Sequence, residues 1–296
     1  VSSPINVGIF DAHCDTLVKE GTGDLFQEGN PSAHVDGPRL AEGGVTHQVM
    51  AVCTEPYKGR EKEIWDIGVE TFLKIREYHP TRLFFAIEGC LPLWEGWRVP
   101  ERPLVASLTW NGDNPYAGGI GSEMGLTGPG RELAMKFAED GTAIDVSHLN
   151  DRSRASLIRT GLPLCATHCN ARKLCEGKGR NLPDQDIKAI ADSGGVTGVT
   201  FVPDFLEEKG EEATIESVVN HIEYIAELTS TDSVGFGSDF DGITALPGGI
   251  TGADSWPAVI EALRGRGWST EDVNKVAGSN WRRFFGIGVE NTRRSN

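Results

Sequence analysis

Residues 142–168 read TAIDVSHLNDRSRASLIRTGLPLCATH. Two short apolar, β-branched runs, at about 142–147 and 163–167, bracket a stretch from Asp151 to Arg159 whose apolar residues recur three and four apart. Strand, helix and strand in that order make a parallel pair joined by a crossover helix. Each run ends in a histidine, His148 and His168. The unit recurs outward in both directions. Further apolar runs lie at about 5–10, 45–53, 83–87, 104–109, 195–201 and 233–237. Helical spacing runs from Ile64 to Tyr78, Arg131 to Glu139, Asp184 to Asp192, Ile215 to Leu228 and Trp256 to Leu263. About eight strand–helix repeats in 296 residues favour an α/β fold of the closed (β/α)8 (TIM) barrel kind over an open doubly wound sheet. No GxGxxG follows the first run, which also counts against a dinucleotide-binding fold.

No linker, low-complexity segment or second composition regime interrupts the chain, so residues 1–296 are expected to form one domain. The Gly- and Pro-rich segments 21–44 and 90–103 read as long loops after the first and third strands, and EEKGEE at 207–212 as a solvated loop. A formal charge of −15 argues against nucleic acid and against anionic membrane surfaces. No stretch approaches the roughly 20 apolar residues of a membrane span. The start, VSSPINVG, has no basic or apolar leader segment, and beginning at Val it is compatible with a leader or tag already removed. The six cysteines form no CxxC pair and mostly lie in or beside apolar runs. Buried free thiols and a cytoplasmic location are therefore expected. A homodimer is left open.

Barrel enzymes carry their catalytic groups at the C-terminal ends of strands. The first run exits into His13-Cys14-Asp15, where residues two apart on an extended segment share a face. The third, RLFFAIEG, ends in Glu88, a carboxylate that is costly to bury without a cation or donor. The fifth and sixth supply His148 and His168, and the eighth, VGFGSDFDG, delivers Asp239. Singly, each has an ordinary explanation. Asp15 or His148 would cap a helix, His168 would be a satisfied core group, and Glu88 would pair with an arginine. Asp239 with Asp241 and Gly242 would make a tight turn or a calcium-type DxDG loop. What sets them apart is that the predicted barrel brings all of them to one mouth. His34, His47, His79 and His221 share no such coincidence and read as structural. Three imidazoles with carboxylates suit zinc or a similar divalent ion. Five ligands exceed what one tetrahedral zinc with an open water position takes, and suit two metals sharing a bridging carboxylate. Glu88 is the better placed to bridge, since Asp15 is tied to its neighbour His13.

With these residues in view, the chain resembles the membrane (renal) dipeptidase family of the amidohydrolase superfamily, in its bacterial form. The resemblance rests on HxD at His13 and Asp15, AIEG at Glu88, SLTWN at 107–111, GLTGPG at 125–130 and DVSH at His148. It continues through ATHCNAR at His168, GRNLPD at 179–184, GSDFDG at Asp239 and GSNWRRFF at 278–285. It implies a metal-dependent hydrolase barrel in which His13, Asp15 and Glu88 hold one zinc and Glu88, His148 and His168 hold a second. It implies that Arg180 binds the substrate carboxylate and that Asp239 is the acid–base group. The implied activity is hydrolysis of free dipeptides, including L-Xaa-D-Xaa, by a metal-bridged hydroxide. Mammalian members place a histidine toward the substrate carbonyl where this chain has Trp110. Trp110 is therefore expected to wall the substrate, with Asn111 or Asn114 available as the oxyanion donor. The rival readings are another binuclear amidohydrolase, acting on N-acyl amino acids or lactones, and a non-catalytic metal-binding protein.

Overall fold

The computed structural model describes residues 8–288. Eight parallel strands form the predicted barrel: β1 (Ile9–Cys14), β2 (Val45–Cys53), β3 (Arg82–Glu88), β4 (Val105–Ser107), β5 (Ala143–Asp145), β6 (Leu164–Cys165), β7 (Thr197–Val199) and β8 (Val234–Phe236). They follow the order β6-β5-β4-β3-β2-β1-β8-β7. A single parallel bridge, Ala166 to Thr197, closes the ring between β6 and β7. The helices outside it are α1 (Glu61–Ile75), α2 (Gly128–Asp140), α3 (Asp151–Ile158), α4 (Asp184–Asp192), α5 (Ile215–Leu228) and α6 (Trp256–Gly265). No helix among the described residues is long and apolar enough to cross a membrane.

The expected β2 matches the observed strand end for end, while β1 differs. The apolar run at 5–10 places a strand there, but β1 extends on to Cys14, and residues 5–7 lie outside the described residues. Parallel pairing with β2, Cys14 opposite Met50, carries the strand through polar side chains that periodicity alone ends at Phe10. A register irregularity between Asp11 and Cys14 breaks the alternation there. Such bulges re-aim side chains and gather beside active sites. The segments expected as loops after the first and third strands also hold short helices, Gly37–Glu42 and Leu91–Trp94. Asp36 caps the first by accepting from the Arg39 amide, and Pro38 sits in its first turn, where a missing N–H costs nothing.

At the N-terminal end of the strands, Phe10 stacks on His47, Phe84 and Phe285, and Trp281 lies against Phe285. The Trp281 indole donates to the Phe236 carbonyl at 2.9 Å. This aromatic plug closes the end opposite the predicted site. Truncating such a buried ring costs about 3–5 kcal/mol. Near the other end, the Thr167 carbonyl oxygen presses on Gly237, only 1.6 Å from where a Cβ would stand. The backbone of His168 follows directly, its Cα 3.4 Å from the same point. All six cysteines are free and buried.

Candidate metal centre

The strand ends deliver the predicted side chains to one point. Glu88, at the last residue of β3, is buried with its Oε1 2.6 Å from His148 Nε2, 3.4 Å from His168 Nε2 and 3.7 Å from His13 Nε2. His13 Nε2 also lies 3.5 Å from Asp15 Oδ2 and 4.0 Å from Asp239 Oδ1. The His148 and His168 Nε2 atoms are 2.9 Å apart. His13, Glu88 and His168 on one side, and His13, Asp15 and Asp239 on the other, each gather their ligand atoms within 4.8 Å of one another.

Whether these residues fit divalent cations is answered by their polar atoms. His13 Nε2 and Asp15 Oδ1 are buried without a hydrogen-bond partner, a costly state for a group with a lone pair to share. Two imidazole nitrogens aimed at each other and at one carboxylate oxygen make a donor set converging on a common centre. The far nitrogens are fixed by other groups. His148 Nδ1 meets Asn111 Oδ1 at 3.0 Å, and His168 Nδ1 meets Thr167 Oγ1 at 2.8 Å. The Thr167 hydroxyl donates in turn to Asp145 Oδ2 at 2.6 Å. These contacts orient each ring with Nε2 inward, as metal-binding histidines require. The set fits.

The charges carry the same imprint. Burial pushes Asp239 well above the usual carboxylate range, and the neighbouring Asp15 charge adds to it. Burial, then Glu88, raises Asp15 to about 6. Burial opposes ionisation of Glu88, but His148 and His13 outweigh it and hold that carboxyl well below its ordinary range. Burial disfavours the His13 imidazolium, yet Glu88, Asp15 and Asp239 lift its pKa to about 10. Burial and then Arg180 lower His148 to about 4. The His13 imidazole faces three acidic side chains, Glu88, Asp15 and Asp239. Divalent cations answer that excess and invert these directions.

Both readings of the segment after β8 hold together: it is a tight turn, and the turn presents Asp239. Asp239 and Asp241 adopt left-handed backbone at φ 65° and 68°, which aspartate tolerates better than most residues. The Gly242 amide donates to the Asp239 carbonyl at 3.1 Å. Asp241 faces away from the cluster and accepts from Thr16 Oγ1 at 2.6 Å and the His34 amide at 2.7 Å. A Cβ on Gly242 would stand 2.3 Å from Asp15 Oδ2 and 2.6 Å from Asp239 Oδ1. Gly242→Ala is therefore expected to weaken divalent-metal binding by about 10- to 100-fold, the range seen when supporting groups around ligands are disturbed. Chelator competition measures this; parent-like affinity would show that both carboxylates have room to move.

The cluster floors a cavity of about 500 Å³. Arg180 lines it, buried, rather than pairing on the surface with Asp184 or Glu176. Its guanidinium donates to the Ser147 carbonyl, approaches His148 Nε2 at 3.2 Å and lies over the Phe205 ring at 5.6 Å. Trp110 also lines the cavity, its ring stacked against His148 at 6.0 Å between centroids. Its backbone N–H donates to Glu55 at 3.3 Å, and burial pushes the Glu55 carboxyl up to about 7. Asn111 lines the cavity as well, with its Oδ1 engaged by His148. Asn114 is not available as an oxyanion donor, because its amide donates to the Leu108 carbonyl and its Oδ1 accepts from two backbone N–H groups. Sequence reasoning missed Lys19, Tyr57, Phe205 and Thr244 at the mouth. It also missed Thr167, a polar residue inside an apolar run that was itself a readable signal.

A family model described as membrane dipeptidase (peptidase family M19) matches residues 104–296. The protein named "uncharacterized protein in pqqA 5'region" of Klebsiella pneumoniae is 36% identical over 188 residues, which is 60% of this chain and 69% of that protein. The dipeptidase tcpJ of Claviceps purpurea is 31% identical over 157 residues, 53% of this chain but only 37% of that enzyme. In three dimensions the chain is similar to dipeptidase AC, a family M19 metallopeptidase, with a TM-score of 0.82 and 24% identity over 94% of this chain and 98% of the other. That structural likeness carries the fold, and the family model, spanning well over half of the sequence, carries the membership: this chain belongs to the membrane dipeptidase family, peptidase family M19, a family of metallopeptidases.

Proposed function

We propose that this chain is a binuclear zinc dipeptidase, hydrolysing the amide bond of free dipeptides, L-Xaa-D-Xaa among them. The observation that carries this is the convergence of His13, Asp15, Glu88, His148, His168 and Asp239 on one cluster, which opens through Asp15, Glu88, His148 and Asp239 onto a cavity that also holds the buried Arg180 cation. His13, Asp15 and Glu88 would hold one zinc and Glu88, His148 and His168 the other. Such a pair, when bound, makes a water nucleophilic near neutral pH and polarises an amide carbonyl. Asp239 stands beside the cluster, takes the proton of the attacking water and returns it to the departing amine. Arg180 receives the substrate's terminal carboxylate through a planar, charge-assisted pair of donors. Trp110 and Phe205 wall the cavity, whose size matches a small-molecule site rather than a polypeptide groove.

The test follows from Arg180. Dipeptides should be cleaved, while their C-terminal amides should react at least about tenfold more slowly, since a buried cation would lose its counter-charge. Arg180→Ala should narrow that gap. Equal rates on acid and amide in the zinc-loaded parent would refute carboxylate recognition and with it the dipeptidase reading. A library that includes L-Xaa-D-Xaa members measures tolerance at the second residue.

A further inference from the structure

Two cations line the cavity, and the proposed function uses only one. Arg180 is tied to Ser147 and faces His148. Lys19, in the segment that follows Asp15, also lines the cavity, and its ammonium has no hydrogen-bond or ion-pair partner among the described residues. Other lysines, such as Lys62, Lys74 and Lys178, pair with carboxylates on the surface, whereas Lys19 is turned to the cavity. The carboxylates lining the same cavity are committed elsewhere. Asp15, Glu88 and Asp239 belong to the metal cluster, and both oxygens of Asp241 accept hydrogen bonds from Thr16 and His34. Arg180 and Lys19 are the cationic chain ends that line the cavity beside these committed acids.

The topology sets where each acts. Arg180 sits on the segment after β6 and Lys19 on the segment after β1, three strands apart around a ring of eight. A dipeptide whose carboxyl terminus meets Arg180 and whose amide lies over the cluster therefore extends its amino-terminal residue toward the β1 side. We propose that Lys19 is a specificity-determining residue that selects dipeptides with an acidic side chain on the amino-terminal residue, Glu-Xaa or Asp-Xaa. This rests on the dipeptidase reading and names a substrate class within it. An ammonium at partial exposure, facing a side-chain carboxylate inside a cleft, discriminates by charge more than by shape.

The experiment measures kcat/KM of the zinc-loaded enzyme on Glu-Ala, Gln-Ala, Ala-Glu and Ala-Ala. The parent should prefer Glu-Ala over its isostere Gln-Ala by about two- to fivefold, as a partly exposed ion pair allows. Lys19→Met should abolish that ratio, Lys19→Arg should restore it, and Lys19→Glu should invert it. The melting temperature of each variant checks that the fold is kept. A Glu-Ala to Gln-Ala ratio unchanged in Lys19→Met overturns the proposal while leaving the dipeptidase reading intact. A ratio change confined to Ala-Glu, or an equal fall on all four substrates, overturns it too, since Lys19 would then be reading the other residue or the common carboxylate. Failure of the loaded parent to cleave any of the four overturns both.

Discussion

The Glu88→Ala protein, dialysed after loading, should hold well under one divalent ion per chain where the parent holds about two. The reason is position. Glu88 Oε1 is the atom that His13, His148 and His168 all face, at 3.7, 2.6 and 3.4 Å. Removing it withdraws a ligand from both halves of the centre at once and leaves three imidazoles that repel one another when protonated. A terminal ligand such as Asp15 should cost one ion and leave the other. Glu88→Gln, which keeps the volume and one carbonyl oxygen, separates ligand loss from cavity formation and should bind metal only weakly. Elemental analysis decides the matter: one tightly held ion per chain in the parent, untouched by either change, would sink the binuclear arrangement.

Asp239→Asn should behave in the opposite way, keeping metal and losing turnover. The amide preserves shape and fits the same left-handed turn, since asparagine tolerates that backbone as aspartate does. It cannot accept and return a proton. The expected fall in kcat is about 10²–10⁴, with KM changed little. Metal content within error of the parent makes the result interpretable. Near-parent turnover in this variant would assign the proton to another group.

The barrel was legible because its unit is short and repeated. An apolar, β-branched run followed by a helix-spaced stretch has few other readings when it recurs about eight times. His148 and His168 were visible for the same reason, each standing at the exit of such a run. Glu88 was visible as a carboxylate where an unbroken apolar strand ends. What escaped was set by contacts between segments far apart in the chain. The β1 boundary slipped because partner strands, not periodicity, hold Asp11 to Cys14 in the sheet. The pairing of Asp241 with His34 joins residues 207 apart and uses backbone as well as side chain. Asn114 reads as a free amide in the sequence, yet its loop folds so that Leu108, Tyr116 and Ala117 consume it. Lys19 and Tyr57 became mouth residues only when the segments after β1 and β2 closed over the same cavity.

The Thr167 carbonyl resting on Gly237 joins two parts of the gene into one heritable unit. Residue 237 offers no side chain, only an amide that donates to the Val199 carbonyl, yet any side chain there would collide with the backbone of Thr167, next to His168. A descendant altered at that codon would lose the geometry of its metal site with every ligand codon intact. No exchange at 168 could compensate, because the obstacle is the main chain of 167 and not a side chain that selection can trim. Drift in this lineage is thus barred at a position whose chemistry is nil. The histidine and the glycine are tied together, although they follow different strands and never touch through side chains.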